Sequence, residues 1–289
     1  MSGPLLVIGG SGYLGHALLR SAEPPVVATH LTSPTAPAPG AEWQRLDVRD
    51  AAAVGRAFAD VRPAAVIHTA YRREEPDAWA TNVVGAAKVA GAAARAGARL
   101  VHISTDLVFD GTAVRPYTED DEPLPATPYG RTKLEGEREV QAAHPDALVV
   151  RTSLMVGGDE PGRQEQLVLA AARGESDIAF FEDERRSPLL VDDLAAALVE
   201  LAGRRESGLL HLAGPEAVSR YDLACLIAGA HGLPSERLRR GRLASSGMQR
   251  PANCVLDSSR ARALLRTPIR GVSELVRAAA ELPTEDPRS

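Results

Sequence analysis

The sequence predicts an α/β fold, with a doubly wound parallel sheet and a second, smaller α/β lobe. Short strand-like runs alternate with helical patterns through residue 151, which is the order of elements that places helices on both faces of a parallel sheet. A glycine-rich turn joins the first run to the first helical segment. After residue 151 the alternation becomes irregular, so the later residues are expected to build the smaller lobe.

The strands of the predicted sheet are short runs, several of them continuously apolar, as expected where both faces of a sheet are covered. They lie at residues 4–9, 26–30, 43–46, 64–68, 99–103 and 147–151. Helical spacing fills the intervals at 13–22, 50–60, 77–96 and 127–143. Residues 31–42 are rich in proline, and we expect an exposed, mobile loop there.

The later part of the chain contains one more predicted strand, at 209–212, and helical spacing at 164–173, 192–202, 219–231, 258–265 and 272–280. We therefore predict a Rossmann domain formed by residues 1–151 together with about 187–213. The predicted substrate-binding lobe comprises about 152–186 and 214–282, and residues 283–289 are expected to be a flexible tail.

Composition excludes several classes of protein. The chain has 289 residues and a formal net charge of −5, which disfavours nucleic-acid binding because such proteins concentrate positive charge. Its two cysteines, Cys225 and Cys254, match neither a disulfide framework nor the C-x-x-C spacing of metal sites. No apolar run approaches the roughly 18 residues that span a bilayer, and the first residues lack the basic segment of a signal peptide. We expect a soluble, cytoplasmic protein with no metal, no nucleic-acid partner and no membrane partner; a homodimer is left open.

The glycine-rich turn is the first candidate binding site. Gly9, Gly12 and Gly15 lie between the first predicted strand and the first predicted helix. Glycine permits the tight turn and lets a pyrophosphate approach the backbone at the helix N-terminus. The sequence therefore predicts a dinucleotide site, with Tyr13 and Leu14 between the glycines as further cofactor contacts.

The choice between the two nicotinamide cofactors depends on the end of the second strand. An NAD site usually has an acid there, which holds the ribose 2′-hydroxyl. Residues 29–33 read THLTS and contain no carboxylate, so His30 and its neighbours leave room for a 2′-phosphate. We expect NADPH, with NADH left open, and we expect Asp47 and Val48 to meet the adenine.

A tyrosine and a lysine four residues apart form the second candidate site. Tyr129 and Lys133 share one face of a predicted helix, and a nearby ammonium lowers the pKa of a phenol from its free value of about 10. Ser104 and Thr105 end the fifth strand, where hydroxyls would reach the same substrate carbonyl. Only two of the 33 basic residues are lysines, and the other, Lys88, is expected on the surface.

Four segments together carry a family resemblance. GGSGYLG (9–15), STDLVFDG (104–111), YGRTKLEGE (129–137) and RTSLMVGG (151–158) resemble the extended short-chain dehydrogenase/reductase superfamily, and within it the dTDP-4-dehydrorhamnose reductase group. Residues 219–234 and 249–257 are similar to that group as well. They are particularly similar to its relative, the regulatory β subunit of methionine adenosyltransferase.

The resemblance implies a reductase of nucleotide-linked 4-keto-6-deoxy sugars. By motif position, it implies that Tyr129 donates the proton and that Lys133 is its electrostatic partner and a ligand of the nicotinamide ribose. Thr105 would hydrogen-bond the carbonyl oxygen. The remaining implied contacts are the cofactor residues Ala70, Tyr71 and Asn82, of which Asn82 helps to order the active-site helix, and the substrate residues Asp106 and Arg250.

Three leucines depart from the pattern of the group. Leu107 replaces its usual tyrosine, Leu154 its usual tryptophan and Leu190 a histidine of its relatives. The first two positions border the sugar in the family and are predicted substrate contacts here. Either the wall has repacked around volume-conserving apolar changes, or the substrate has changed to a more deoxygenated sugar or to a ketone that is not a nucleotide sugar.

The sequence therefore predicts an NADPH-dependent ketoreductase that acts on the C4 ketone of a dTDP-4-keto-6-deoxy sugar, in deoxysugar or secondary-metabolite biosynthesis. One alternative is a non-catalytic NADP-binding regulatory subunit like that of methionine adenosyltransferase. A reductase of a non-sugar ketone is another. An epimerase or dehydratase is a third, but such enzymes usually carry further acid and base residues beside Thr105. Paired arginines such as Arg72 and Arg73 are candidates for a substrate diphosphate or for solvated surface, and His68 and His102 are expected to be packed.

Overall fold

The computed structural model describes residues 3–32 and 40–276. Its strands are β1 (Leu5–Ile8), β2 (Val26–His30), β3 (Ala41–Arg45), β4 (Ala65–His68), β5 (Arg99–Thr105), β6 (Leu148–Thr152), β7 (Met155–Val156), β8 (Ala179–Phe181), β9 (Arg185–Arg186), β10 (Leu189–Leu190), β11 (Gly208–His211), β12 (Val218–Ser219) and β13 (Arg239–Gly241). Its α-helices are α1 (Tyr13–Ser21), α2 (Ala51–Val61), α3 (Asp77–Trp79), α4 (Ala86–Ala96), α5 (Pro128–Ala143), α6 (Arg163–Arg173), α7 (Val191–Ala202), α8 (Arg220–Ala230) and α9 (Ser259–Leu264).

Seven strands form one sheet in the order β11-β6-β5-β4-β1-β2-β3, and every pair in it is parallel. The predicted doubly wound sheet is confirmed. Chain order runs outward in both directions from β1, so the switch point lies between β1 and β4. In sheets of this kind ligands bind at the carboxyl ends of the strands, beside the switch point.

The sheet is buried on both faces because its central strands are apolar at every position. In β1, Leu5 and Val7 pack into the layer of α1 and α7. Leu6 and Ile8 alternate to the opposite face and pack into the layer of α2 and α4. All four side chains are at most 3% exposed, so β1 fixes the depth at which the following glycine turn lies.

The predicted helix over 77–96 is wrong as a continuous α-helix. A π-helical turn, Ala80–Gly85, separates α3 from α4. Its last residue is a glycine for a packing reason, since a Cβ on Gly85 would lie 2.7 Å from Cγ2 of Val48. Such turns are rare and often occur at functional sites, and this one carries Asn82.

A second set of short elements follows β6. The strand pairs β7–β10, β8–β13 and β9–β12 join α6 and α8 around a separate apolar cluster that includes Val168, Phe180 and Ile227. Strands of two or three residues show no detectable periodicity, so none of these six was predicted. The strand predicted at 209–212 is β11 of the large sheet. The boundaries of the two predicted domains stay a prediction. The tail at 283–289, most of the predicted loop at 31–42 and part of the predicted helix at 272–280 lie outside the described residues.

A buried ion pair connects α5 to β6. Arg151 and Glu137 are both 2% exposed, and Nη2 of Arg151 donates to Oε2 of Glu137 at 2.7 Å. The guanidinium also lies 5.2 Å from the centre of the Phe109 ring. Because α5 is the helix that carries Tyr129, this pair supports the candidate site from beneath.

No helix within residues 3–32 and 40–276 has both the length and the apolar character needed to cross a membrane.

Candidate active site

A cavity of about 600 Å³ opens at the carboxyl ends of the central strands. Its size lies within the usual range of small-molecule sites. The structure brings most of the predicted residues to its walls. The cofactor candidates that line it are Gly9, Gly12, Tyr13, Leu14, Gly15, His30, Asp47, Val48, Ala70, Tyr71 and Lys133, and the catalytic and substrate candidates are Thr105, Asp106, Leu107, Tyr129 and Leu154.

The glycine turn needs glycine at both of its ends. Gly9 has a φ of +91°, and a Cβ there would lie 2.6 Å from Oγ1 of Thr69. A Cβ on Gly15 would lie 2.4 Å from the carbonyl oxygen of Gly9. Helix α1 starts after Gly12 without a side-chain cap, so the first amides of the helix have no intrahelical partner and are available to an anion.

Helix α5 sets Tyr129 and Lys133 against β5. The helix starts with Pro128, and Oγ1 of Thr127 caps it by accepting from the Gly130 amide at 3.0 Å. A Cβ on Gly130 would lie 2.1 Å from the Leu107 carbonyl oxygen. Glycine at this position therefore permits the close approach that brings the start of the helix to the end of β5.

Lys133 is buried at 3% exposure, and its Nζ donates to the Ile103 carbonyl at 2.7 Å. Burial lowers the pKa of its ammonium to about 8, against an opposing contribution from the Glu137 carboxylate. The side chain is therefore mostly charged at neutral pH and loses that charge on mild alkalinisation.

The electrostatics of Tyr129 differ from the expectation. Burial raises the pKa of its phenol above the usual range, Tyr71 raises it further, and the guanidinium of Arg73 opposes the rise. Arg73 lies 5.4 Å from the centre of the Tyr129 ring. The sequence predicted that Lys133 would be the cation that lowers this pKa. In the structure the cation over the ring is Arg73, which the sequence analysis had named only as one of several paired arginines.

Asp106 is a buried carboxylate that holds neighbouring hydroxyls in place. Its Oδ2 accepts from Oγ of Ser153 at 2.7 Å, and its Oδ1 accepts from Oγ1 of Thr105 at 3.2 Å. Burial raises the pKa of the carboxyl, and the charge of Arg186, 3.7 Å away, opposes the rise. Ser153 was not predicted as a site residue, and Arg186 was considered only as one of the paired arginines that could bind a substrate diphosphate. Ser153 directly follows β6, at the same edge of the sheet as Thr105. Its position after a predicted strand was therefore a signal in the sequence that could have identified it.

Two histidines lie in the sheet behind the cavity. Nδ1 of His68 and Nδ1 of His102 are 3.1 Å apart, and burial lowers the pKa of His68 to about 3 and that of His102 well below its usual value. Both are therefore neutral near pH 7. Neither lines the cavity, as expected of packed residues.

Two predicted contacts lie outside the cavity lining. Asn82 accepts from the Arg72 amide at 2.8 Å and donates to Oγ1 of Thr132 at 2.9 Å, so it ties the loop after β4 to α5. Arg250 is about half exposed and lies 3.6 Å from Oε2 of Glu184. These contacts of Asn82 fit the ordering role that the resemblance implies. Because neither Asn82 nor Arg250 lines the cavity, the structure gives no support for direct contact of either residue with a ligand.

The adenine candidate Asp47 is already paired. Arg49 donates to its carboxylate at 2.8 Å and to Asp77 at 2.6 Å. These contacts lower the pKa of Asp47. Arg49 also lines the cavity, and the sequence analysis did not select it.

A second unpredicted arginine lies beside the end of β2. Arg45 is on β3, where it lies opposite His30 of β2. Its Nε donates to the Leu31 carbonyl at 3.2 Å. Among the described residues no carboxylate forms an ion pair with Arg45. Sequence spacing could not reveal it because β2 and β3 are joined by a long proline-rich segment, so their register was unknown.

Over residues 3–32 and 40–276, the side chains of histidine, cysteine, aspartate and glutamate form no group of three or more that could hold a metal ion.

Comparison with known proteins agrees with the fold and the motifs. The dTDP-4-dehydrorhamnose reductase of Mycolicibacterium smegmatis is 34% identical over 281 residues, covering 93% of this chain and 83% of that protein. The methionine adenosyltransferase 2 subunit beta of Rattus norvegicus is 33% identical over 297 residues, covering 93% and 86%. The crystal structure of a dTDP-4-dehydrorhamnose reductase from Bacillus anthracis in complex with NADP matches with a TM-score of 0.82 and 23% identity, over 97% of this chain and 99% of that one. The family described as RmlD substrate binding domain matches residues 3–282, and this chain belongs to it.

Proposed function

We propose that the chain is an NADPH-dependent ketoreductase that reduces the C4 ketone of a dTDP-4-keto-6-deoxy sugar. One observation carries the proposal: the uncapped glycine turn and the residues Thr105, Tyr129 and Lys133 line the same cavity. A dinucleotide and a carbonyl substrate can therefore meet there. The similarity to dTDP-4-dehydrorhamnose reductases supports the substrate class.

The glycine turn fits a dinucleotide because its tight backbone leaves the first amides of α1 open, and such amides match a pyrophosphate. A Cβ on Gly9 or Gly15 would clash with the chain's own atoms, so only glycine permits this backbone. Lys133 and Tyr71 line the same cavity and would face the nicotinamide. The bound cofactor would supply the hydride that reduces the ketone.

The chain's own residues would supply the proton. Tyr129 stays protonated across the physiological range because burial raises its pKa, so its phenol can donate to the carbonyl oxygen as that oxygen gains charge. The Thr105 hydroxyl, which donates to Asp106 at 3.2 Å, would give a second hydrogen bond to that oxygen by turning its proton from the carboxylate to the substrate. The guanidinium of Arg73 over the ring would stabilise the phenolate that remains, and the ammonium of Lys133, one turn further along α5, would hold the nicotinamide ribose.

The direct test is NADPH oxidation against a panel of dTDP-4-keto-6-deoxy sugars and simple ketones. The proposal expects oxidation with at least one of the nucleotide sugars. Oxidation with simple ketones alone would show that the substrate is not a nucleotide sugar. Absence of oxidation with every compound would contradict the proposed ketoreductase activity.

The pH dependence of kcat is expected to follow the protonation of Lys133. Because its pKa lies at about 8, the ammonium loses its proton as the pH rises through that value, and kcat should fall about tenfold per pH unit above it. Rate measurements between pH 6 and about 10 would show the descending limb. The variant Lys88→Gln, which removes the other lysine, should keep the same limb. A flat profile to pH 10 would exclude Lys133 as the titrating group.

Arg45 supports NADPH over NADH. The adenosine ribose of a doubly wound fold lies over the end of β2. Arg45 is not itself in the cavity lining, but it contacts Leu31, which is, and its guanidinium would reach a 2′-phosphate there from the rim. Arg45→Ala is expected to raise the Kd for NADPH about tenfold, the size of one charge-assisted hydrogen bond. The Kd for NADH should change less than about twofold, since it has no 2′-phosphate. Titration of each cofactor by fluorescence measures both, and an equal loss for the two would contradict this role.

Leu107 and Leu154 line the cavity with aliphatic side chains and would border the sugar of the substrate. They offer no hydrogen bond to a sugar hydroxyl, which favours a strongly deoxygenated sugar over a fully hydroxylated one. Binding of dTDP-rhamnose measured by calorimetry tests this preference: affinity equal to that for a more deoxygenated dTDP sugar would remove it.

A regulatory subunit is the second candidate function, favoured by the similarity to methionine adenosyltransferase 2 subunit beta over most of both chains. Its test is binding to a methionine adenosyltransferase catalytic subunit. Binding there, together with no NADPH oxidation on the ketone panel, would favour the regulatory role.

A further inference from the structure

Tyr13 joins the glycine turn to a distant segment of the chain. Its hydroxyl donates to the Gly157 carbonyl and contacts Oε2 of Glu165 at 3.1 Å. These partners lie 144 and 152 residues away in sequence. The contact therefore bridges the start of α1 and the segment formed by residues 157–165, which we name the linker segment.

The linker segment is shaped to receive the Tyr13 ring. A Cβ on Gly162 would lie 2.7 Å from Cζ of the ring, and one on Gly158 would lie 4.0 Å from its Cε2. Gly158 has a φ of +89°, which disfavours any other residue there. The ring therefore has little freedom to move independently of the segment.

Glu165 collects the hydrogen bonds that fix the segment. Its Oε1 accepts from the Gly157 amide at 3.1 Å, and its Oε2 accepts from the Gly162 amide at 2.9 Å. It is 3% exposed. The one O–H of Tyr13 is shared between the Gly157 carbonyl and Oε2 of this carboxylate, so the phenol is part of the network that sets the conformation of residues 157–162.

The segment carries two side chains of the cavity wall. Arg163 and Gln164 line the cavity, and Oε1 of Gln164 accepts from Nη2 of Arg220 at 2.5 Å. Tyr13 lines the cavity as well, at the glycine turn. One residue thus has its backbone amide at the cofactor turn and its side chain on the segment that forms another part of the wall.

We propose that Tyr13 is a positioning residue that couples cofactor binding at the glycine turn to the placement of the linker segment. The inference rests on the proposed cofactor site. A pyrophosphate that fixes the first amides of α1 also fixes the Tyr13 backbone, and the phenol transmits this order to Gly157 and Glu165. Cofactor binding then prepares the wall formed by Arg163 and Gln164 for the second ligand.

Hydrogen exchange with and without saturating NADP⁺ tests the coupling without any substrate. In the wild-type chain, NADP⁺ should slow exchange in peptides covering residues 9–16 and also in those covering 157–165. The second effect should be about fivefold or more, the lower end of usual coupling between sites. In Tyr13→Phe, which keeps the ring and removes only the hydroxyl, NADP⁺ should protect residues 9–16 alone.

Arg20→Gln is the matched control. Arg20 also joins α1 to this region, through Asp159 at 3.2 Å and Asp192 at 2.6 Å, but at the exposed surface. This variant should keep the protection of 157–165. In turnover assays Tyr13→Phe should raise the KM of the ketone substrate about fivefold with kcat unchanged, a split that general destabilisation does not produce.

Two results overturn the coupling: protection of residues 9–16 alone in the wild-type chain, or protection of 157–165 that persists in Tyr13→Phe. Either would leave the proposed function intact. No protection of residues 9–16 by NADP⁺ or NAD⁺ would instead overturn the cofactor site, and the coupling with it.

Discussion

Replacing Tyr129 with phenylalanine is expected to lower kcat by about 10³-fold, within the roughly 10²- to 10⁴-fold contribution of a positioned general acid. The Kd for NADPH should change less than about twofold, because the substitution removes only the hydroxyl. The ring keeps its contact with Tyr71, whose ring centre lies 5.9 Å away. Single-turnover rates and cofactor titration measure the two quantities separately.

The control for this prediction is Tyr221→Phe. Tyr221 packs under the guanidinium of Arg240, 4.4 Å from the ring centre, and it does not line the cavity. Removal of its hydroxyl should leave kcat within about twofold of the wild-type value. Wild-type turnover in Tyr129→Phe would show that another group donates the proton.

Glu137→Ala is expected to lower the free energy of unfolding by about 3–5 kcal/mol, the usual cost of leaving one partner of a buried ion pair alone. Arg151 would remain 2% exposed with no carboxylate to accept from its Nε and Nη2. Urea unfolding followed by circular dichroism would give the change, with the slope expected to stay constant.

Glu135→Ala is the matched control on the same helix. Its carboxylate pairs with Arg138 at 3.1 Å, but the Arg138 side chain is 64% exposed, and exposed pairs contribute about 0–1 kcal/mol. The double variant Glu137→Leu with Arg151→Met should recover part of the loss, because an apolar pair replaces both charges. Equal effects of Glu137→Ala and Glu135→Ala would show that burial of the pair does not matter.

The sequence predicted the parts of the fold whose signals are local. Continuous apolar runs such as β1 identified the buried strands, and the glycines at 9, 12 and 15 identified the turn, because their spacing follows from the geometry of one strand–helix junction. The four-residue spacing of Tyr129 and Lys133 likewise required only a helix. These predictions depended on residues within a few positions of one another.

The residues that sequence analysis missed depend on contacts between distant segments. Arg45 reaches the end of β2 through strand register. Arg73 was a candidate for a substrate diphosphate, but its position over the Tyr129 ring, reached from the loop after β4, was not predicted. The π-helical turn at Ala80–Gly85 ends at a glycine that lies close against Val48 from a distant segment. Neither spacing nor helix propensity contains this information, which arises only when the sheet assembles.

The fit between Tyr13 and Gly162 also constrains how the chain can change over evolutionary time. With the ring in place, even alanine at 162 would put its Cβ 2.7 Å from a ring carbon. A larger residue at 162 therefore becomes acceptable only after position 13 has shrunk, so the same mutation is harmful or neutral according to the background in which it arises. Engineers who graft the linker segment between relatives would need to transfer both positions together.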